Sequence, residues 1–194
     1  MRSAIIAAAA LMSGCAASTA TYPVEVTRFH VDTIGRGTIA VVTDEGVVDG
    51  PEFRLYAGAV SDALSREGYT VVPAGGTYVA RVGVAADKQT FRTPPPFTIG
   101  LGGGGYSGDR GGGVGLGGSV GIPIGRGKLK ERVATTLSVR INAREGNLGV
   151  WEGRAQTQDI RTPGTADATI AASKLATALF TGFPGESGRT ITVK

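Results

Sequence analysis

Alternation of apolar and polar side chains predicts two long β-strands in the chain. Residues 78–86 place apolar side chains at every second position, and Arg81 and Asp87 fall on the other face. Residues 131–145 show the same period more strongly. The apolar face there is formed by Val133, Leu137, Val139 and Ile141, and the polar face by Arg132, Thr136, Ser138, Arg140, Asn142 and Arg144. Such strands need a cover over the apolar face, because those side chains must be removed from water.

Shorter runs rich in β-branched and apolar residues predict further strands. These strands are expected at residues 24–31, 38–43, 69–72, 148–160 and 190–193, the last of them at a sheet edge. The sequence Glu-Gly-Asn at 145–147 is typical of a hairpin turn, so the strand after it pairs with the strand before it. In that returning strand, Trp151 and Ala155 are candidate core residues.

Helical periodicity predicts two amphipathic helices. The first starts at Pro51, which is followed by an acid that suits the positive end of a helix dipole, and it stops at Gly68. The second is expected to be capped by Thr165 and ended by Gly182 and Pro184. The apolar stripes consist of Phe53, Tyr56, Ala57, Val60 and Leu64 in the first helix, and of Ala168, Ala171, Leu175, Ala178 and Leu179 in the second. Each helix therefore has one face suited to packing on a sheet.

The order of these elements predicts an α+β fold. We expect a two-layer sandwich, in which a mostly antiparallel sheet is covered on one face by the two helices. A long Gly-rich insert, at about residues 94–128, divides the chain between the two long strands. Residues 23–194 then form a single α+β domain.

The Gly-rich insert contains 15 glycines within residues 100–127. One interpretation is a flexible, solvated loop, because glycine-rich chain loses much entropy on ordering. The other is a glycine-faced hairpin that turns near residues 107–110, since apolar residues recur there at period two. In the second interpretation the insert is a contact surface for a protein or an envelope polymer. A GxGxxG match at 113–118 lacks the preceding strand and following helix of a nucleotide site, so no nucleotide is expected.

The first 14 residues have the layout of a secretion signal, with Arg2 followed by an apolar run over residues 4–12. A helix of nine residues rises only about 14 Å, less than half of a roughly 30 Å hydrocarbon core. Ser13-Gly14-Cys15 follows and resembles the bacterial lipobox. The resemblance implies lipid transfer to the Cys15 thiol and cleavage between Gly14 and Cys15.

Cysteine usage agrees with this interpretation, because Cys15 is the only cysteine of the chain and an internal disulfide is impossible. Residues 15–22 then form a short lipidated tether. By resemblance to the sorting rule of enteric-type bacteria, Ala16 implies the outer membrane, because it is not aspartate. Palmitate and the other acyl chains of such an anchor hold a protein firmly on a membrane surface.

Several motifs, taken in order, resemble the bacterial lipoprotein family of domain of unknown function 4136. They are Ser65-Arg66-Glu67-Gly68-Tyr69, the strand at 78–84, the Gly-rich insert, Val150-Trp151-Glu152-Gly153-Arg154-Ala155, and Phe183-Pro184-Gly185. The resemblance spans residues 24–185. It implies an α+β domain on a lipid tether, with no established activity.

Composition and residue types narrow the function classes. After residues 1–14 are removed, the chain has 19 basic and 16 acidic residues, and the basic residues are not clustered in a run. Nucleic-acid binding is therefore not expected. His30 is the only histidine, and a zinc or copper site lacks ligands. No cofactor or catalytic residue is predicted. One alternative is a carboxylate pair for glycoside cleavage among Glu131, Glu145, Glu152 and Asp159, although alternating charges on a solvated sheet face explain these acids more simply.

Four arginines on predicted outward positions allow a second alternative, contact with an anionic surface. They are Arg132, Arg140, Arg144 and Arg154. A solvated face paired with acids is the simpler interpretation. The prediction is therefore a lipid-anchored cell-envelope protein, a non-catalytic interaction or structural module on the periplasmic side of the outer membrane. The alternative is a small-ligand or envelope-polymer binding lipoprotein.

Overall fold

The computed structural model describes residues 22–95, 97–101, 120–165 and 167–194. Its helices are α1 Pro51–Arg66 and α2 Ala168–Phe180. Its strands are β1 Val24–His30, β2 Thr38–Thr43, β3 Thr70–Val72, β4 Tyr78–Arg92, β5 Phe97–Leu101, β6 Val120–Ile124, β7 Leu129–Ala143, β8 Gly149–Arg161 and β9 Thr190–Val193. The predicted α+β class is confirmed.

Seven of these strands form one mixed sheet in the order β3-β2-β4-β7-β8-β1-β9. β2 runs parallel to β3 and to β4, whereas the other neighbours in the sheet are antiparallel. The parallel pair β2 and β3 is connected through α1, because parallel strands need a crossover. β9 lies at one edge of this sheet, as predicted for residues 190–193.

The core lies between the sheet and the helices. α1 contacts β2, β3 and β4, α2 contacts β1, β7 and β8, and the two helices contact each other. Tyr56, Val60 and Leu64 of α1 are buried, as the helical pattern predicts. Val133, Leu137, Val139 and Ile141 of β7, together with Trp151 and Ala155 of β8, are buried as well. Burial at every second strand position confirms the predicted apolar face of β7.

The start of α2 differs from the sequence prediction. The helix is capped by Asp167, whose carboxylate accepts hydrogen bonds from the backbone N–H of Thr169 at 3.0 Å and of Ile170 at 3.2 Å. The hydroxyl of Thr165 instead donates to the carbonyl of Thr162 at 2.7 Å. Both residue types are good N-caps, but the hydroxyl of Thr165 is engaged by a hydrogen bond within the turn at residues 162–165. The prediction of Thr165 as the cap was therefore wrong.

Other boundaries shift by one to three residues. Tyr69, the predicted first residue of a strand, still donates its backbone N–H to Leu64 at the end of α1, so β3 starts one residue later. The second helix ends at Phe180 with Thr181 as its C-cap, and Gly182 follows with a φ of 69°, which agrees with the predicted stop at Gly182 and Pro184. The predicted hairpin turn is a short 3-10 turn at Glu145–Asn147, in which Gly146 has a φ of 70°.

β5 and β6 lie inside the Gly-rich segment and pair antiparallel as a separate two-stranded sheet. At the base of this segment, the backbone N–H of Thr93 donates to the carbonyl of Lys128 at 2.9 Å. The backbone N–H of Lys128 donates in turn to the Thr93 hydroxyl at 3.0 Å. Gly127 packs directly on the Thr93 carbonyl, where a Cβ has no space. The predicted turn at 107–110 lies outside the described residues.

Candidate functional site

The lipidation site predicted at Cys15 and the cleavage site after Gly14 lie outside the described residues. The described chain starts at Tyr22, whose carbonyl accepts a hydrogen bond from the ammonium group of Lys174 on α2. The carbonyl of Pro23 accepts a hydrogen bond of 3.2 Å from the hydroxyl of Thr157 on β8. The first described residue, Tyr22, therefore lies beside α2.

A groove lies next to this entry point, between α2 and β9. Its volume is about 480 Å³. It is lined by Val24, Thr169, Ile170, Ser173, Lys174, Thr177, Ala178, Val193 and Lys194. The lining combines aliphatic and hydroxyl side chains with two lysines, and it includes no acidic side chain. Such a lining suits an apolar ligand that carries a negative charge.

Ile170 is the most unusual of these side chains, because a large aliphatic group at the start of α2 is 65% exposed. The residues of α2 that are buried are Ala172, Leu175, Ala176, Ala178, Leu179 and Phe180. The sequence pattern identified Leu175, Ala178 and Leu179 correctly, whereas Ala168 and Ala171 are only half-buried. Ile170 lies outside this buried stripe and faces the groove, so folding of the domain leaves it in contact with water.

A different environment surrounds the other end of α2, where Arg28 of β1 is 3% exposed. Its Nε donates to the carbonyl of Leu179 at 2.9 Å, and one terminal nitrogen donates to Ala178 at 3.0 Å and to Thr181 at 2.9 Å. These are carbonyls of the last helical turn, which have no partner within the helix and lie at its negative end. Burial lowers the pKa of the guanidinium, and the charge of Glu67 opposes this shift.

Aromatic side chains pack around this helix end. The rings of Trp151 and Phe180 are stacked with centroids 5.2 Å apart, and Phe183 lies 5.3 Å from Trp151. The indole N–H of Trp151 donates to the carbonyl of Pro184 at 3.1 Å. Aromatic pairs at these separations add stability beyond the area they bury. The cluster therefore fixes the segment that follows α2.

Arg36 closes the cluster from the loop between β1 and β2. Its guanidinium lies 5.0 Å from the ring centroid of Tyr69 and 4.8 Å from that of Phe183, distances typical of cation–π contacts. Tyr69 is buried, which raises the pKa of its phenol, and the charge of Arg36 opposes that shift. The hydroxyl of Tyr69 donates to the carbonyl of Gly35 at 3.1 Å.

Three of the sequence motifs that carry the family resemblance meet in this cluster, through Tyr69, Trp151 and Phe183. Sequence reasoning did not single out Arg28 or Arg36. For Arg28 a signal was present, because it shares the inward face of β1 with Val24 and Val26 at period two. An arginine in that register predicts a buried cation that requires carbonyl or carboxylate partners. The cluster is a structural element, because its side-chain donors bond to backbone carbonyls of the same domain.

The predicted outward arginines do not converge on one point. Arg140 lies 3.5 Å from Glu152 in an exposed ion pair, whereas Arg144 donates to the carbonyls of Gly75 and Gly76. The remaining two are both exposed: Arg132 stands 5.5 Å from the ring centroid of Phe91, and Arg154 lies on β8. Exposed pairs of this kind contribute little to stability.

The four carboxylates considered for glycoside cleavage are also divided. Glu131 pairs with Arg161 at 3.4 Å on the helix side of the sheet, and Glu152 pairs with Arg140 on the opposite side. Glu145 lies in the turn between β7 and β8. Asp159 belongs to β8 and lies opposite Val133, two register positions away from the pair of Glu131 with Arg161. The structure does not bring the four together.

The ring nitrogens of His30 lie 2.8 Å from the carbonyl oxygen of Val31 and 3.1 Å from that of Gly185. Across the part of the chain that the structure describes, no group of three or more His, Cys, Asp or Glu side chains is placed to hold a metal ion. Within the same ranges, neither helix has the length and apolar character needed to cross a bilayer.

The described residues form an α+β protein with an open groove beside α2 and a closed aromatic cluster at the other end of that helix. No model of a known protein family matches the chain. The chain is 30% identical over 216 aligned positions to the uncharacterized protein ZMO1243 of Zymomonas mobilis, an alignment that covers 90% of this chain and 82% of that protein. It belongs to the same family as that protein.

Two solved structures share parts of the backbone arrangement. A PDZ domain protein from Parabacteroides distasonis has a TM-score of 0.47 at 11% identity, over 89% of this chain and 39% of that chain. The PelC dodecamer from Paraburkholderia phytofirmans has a TM-score of 0.41 at 9% identity, over 80% of this chain and 93% of that chain.

Proposed function

We propose that the protein is a lipid-anchored cell-envelope protein, a non-catalytic interaction or structural module held on the periplasmic side of the outer membrane. One observation carries the proposal. The only cysteine of the chain directly follows an apolar run and two small residues, and it stands seven residues before Tyr22. This spacing gives a signal of the lipoprotein type and a short tether that joins the domain beside Lys174.

The proposal extends to the architecture that such a module requires. The α+β domain is interpreted as a two-layer sandwich with both helices on one face and the Gly-rich insert of residues 94–128 extending from it. The insert is the proposed contact surface for a protein or an envelope polymer, and the pairing of β5 with β6 supports an ordered base. The similarity to the family of domain of unknown function 4136 stays a prediction and supports the same role.

A second candidate function is the binding of a small ligand. The groove of about 480 Å³ between α2 and β9 favours it, because this volume falls within the range of small-molecule sites. The groove is open at the surface, however, whereas small ligands are usually enclosed. We therefore rank a lipoprotein that binds a small ligand below the interaction or structural module.

Metabolic labelling with an alkyne analogue of palmitate tests the anchor. The native chain is expected to take up the label and to sediment with the outer membrane. Cys15→Ser should abolish labelling and release the protein to the soluble periplasmic fraction, because two or more acyl chains are needed for firm attachment. Ala16→Asp should keep the label and move the protein to the inner membrane.

The matched control moves the thiol without removing it. In the double variant Cys15→Ser with Glu25→Cys, an exposed cysteine is present ten residues further along, where Pro23 and Val24 precede it instead of two small residues. This variant should also lack the label, because transfer of the lipid depends on the position of the thiol. Two results together would refute the proposal. The native chain would take up no palmitate label, and the Cys15→Ser variant would still sediment with the membrane fraction.

A further inference from the structure

We propose that the groove between α2 and β9 docks on the membrane itself and takes an acyl chain of an anionic phospholipid, whose phosphate lies between Lys174 and Lys194. This inference rests on the proposed function, which places the domain next to a bilayer. It adds a defined membrane-facing surface to a protein that is otherwise held only by its tether.

The position of the tether is the first argument. Residues 15–21 are seven residues, which span at most about 25 Å when fully extended. The tether ends at Tyr22, whose carbonyl is held by Lys174, and Lys174 lines the groove. An acylated Cys15 therefore keeps this side of the domain near the bilayer surface.

The chemistry of the groove is the second argument. Val24 and Ala178 are already buried by folding, whereas the half-buried Val193 and the exposed Ile170 leave aliphatic surface of the groove in contact with water. Removing such aliphatic surface from water is favourable in proportion to its area. An acyl chain matches this lining over several methylene groups, whereas a polar polymer does not.

The two lysines supply the third argument. The Lys174 ammonium group has three donors, and one of them is used by the carbonyl of Tyr22. Lys194 also lines the groove and is exposed, and no acidic side chain is among the lining residues. A phosphate whose charge is not offset by a cation in the same headgroup, as in phosphatidylglycerol, gains more from the two ammonium groups than the zwitterionic headgroup of phosphatidylcholine does.

A cysteine-free chain allows the docking to be measured without the anchor. In the mature Cys15→Ser chain, a single cysteine is introduced by Ile170→Cys and labelled with the environment-sensitive dye NBD. Vesicles of phosphatidylglycerol and phosphatidylethanolamine should shift the emission to the blue and increase it, whereas phosphatidylcholine vesicles should not. The matched control is Leu148→Cys with the same dye, because Leu148 is similarly exposed at 64% and lies outside the groove.

The charge requirement is tested by flotation of the unlabelled Cys15→Ser chain. Lys194→Gln should lower the partition constant onto anionic vesicles about fivefold, the effect of one lysine near an anionic surface. Ile170→Ser should lower it about tenfold, since one aliphatic contact is lost. Lys88→Gln, an exposed lysine of β4, is the control and should leave the partition constant unchanged.

Three results would overturn the inference: no emission change at position 170 with anionic vesicles, an equal change at position 148, or equal partitioning onto phosphatidylcholine. A blue shift without vesicles, accompanied by sedimentation as a dimer, would assign the groove to a second copy of the chain. Because these measurements use a chain without Cys15, loss of groove binding leaves the acylation result intact, and absence of acylation leaves the vesicle result intact.

Discussion

The two ends of α2 differ in how their polar and apolar groups are matched. At the end near Phe180, Arg28 supplies hydrogen bonds to three carbonyls, and aromatic rings pack around it. At the start of the helix, Asp167 satisfies two backbone N–H groups, but Ile170 projects into an open groove. These polar groups have hydrogen-bond partners at both ends of α2. Large side chains are buried only at the end near Phe180.

The two ends of α2 therefore serve different purposes: one end stabilises the fold, and the other is the proposed interaction surface. A buried guanidinium is costly unless its donors are satisfied, so the closed end is explained by the stability of the domain. An isoleucine that is 65% exposed contributes little to that stability. In the proposal above, Ile170 and the two lysines of the groove contact a membrane surface outside the domain.

The largest effect is expected from a substitution at the closed end of α2, the end near Phe180 where Arg28 is buried. Arg28→Ala should lower the free energy of unfolding by about 3–5 kcal/mol, because three carbonyls lose a charged donor and a cavity opens beneath the aromatic cluster. Such a loss is a large part of the stability of an ordinary domain. Urea unfolding followed by circular dichroism measures it. Arg28→Lys should recover only part of the loss, since an ammonium group cannot reproduce the planar fork.

Arg154→Ala provides the control for this prediction. Arg154 is exposed on β8, and its register partner in β1 is Thr27, next to Arg28. Its replacement should change the free energy of unfolding by less than about 0.5 kcal/mol. A similar small change for Arg28→Ala would mean that the guanidinium does not stabilise the end of α2.

A smaller effect is expected from Gly185→Ala, which tests whether the Arg28 guanidinium is held in its observed position. Gly185 has a φ of 88°, and a Cβ there would lie 2.5 Å from a terminal nitrogen of Arg28. The left-handed backbone and the displaced guanidinium together should cost about 2–3 kcal/mol in urea unfolding. The cost should fall to about 1 kcal/mol when Arg28→Ala is also present, because the steric conflict is then removed.

Gly188→Ala is the matched control, since Gly188 has a φ of 80° and a Cβ there would meet nothing closer than 3.9 Å. It should show the cost of the backbone conformation alone, about 1 kcal/mol. Equal losses for the two glycine variants would show that Arg28 is not fixed in its observed position.

The same contrast explains what could be predicted from the sequence. The apolar faces of β7 and α1 were predicted correctly, because period two and period 3.6 follow directly from burial on one side. The cap of α2 was assigned to Thr165, since Thr165 and Asp167 are both good caps and the choice depends on a local bond between Thr165 and Thr162. Local competition of this kind is not visible in a hydrophobic pattern.

The sites are harder to predict than the fold. The aromatic cluster and Arg28 join residues from β1, the turn after α1, β8, the end of α2 and the segment after it, and such long-range contacts depend on the order of strands in the sheet. The parallel placement of β2 beside β4 was not predicted, and it brings Tyr78 next to Tyr69 with ring centroids 5.8 Å apart. The groove likewise requires that β9 lie beside β1, so its lysines come from α2 and from the residue after β9.

The smallest expected effect concerns the open end of α2. Ile170→Ser should leave the free energy of unfolding within about 0.5 kcal/mol of the native value, because this side chain is largely exposed in the folded domain. Leu175→Ala, one turn further along the same helix and fully buried, should cost about 2–5 kcal/mol under the same conditions. Urea unfolding of both variants measures the difference. A loss of more than 1 kcal/mol for Ile170→Ser would mean that the domain itself uses Ile170, and the case for an external surface at this groove would then be lost.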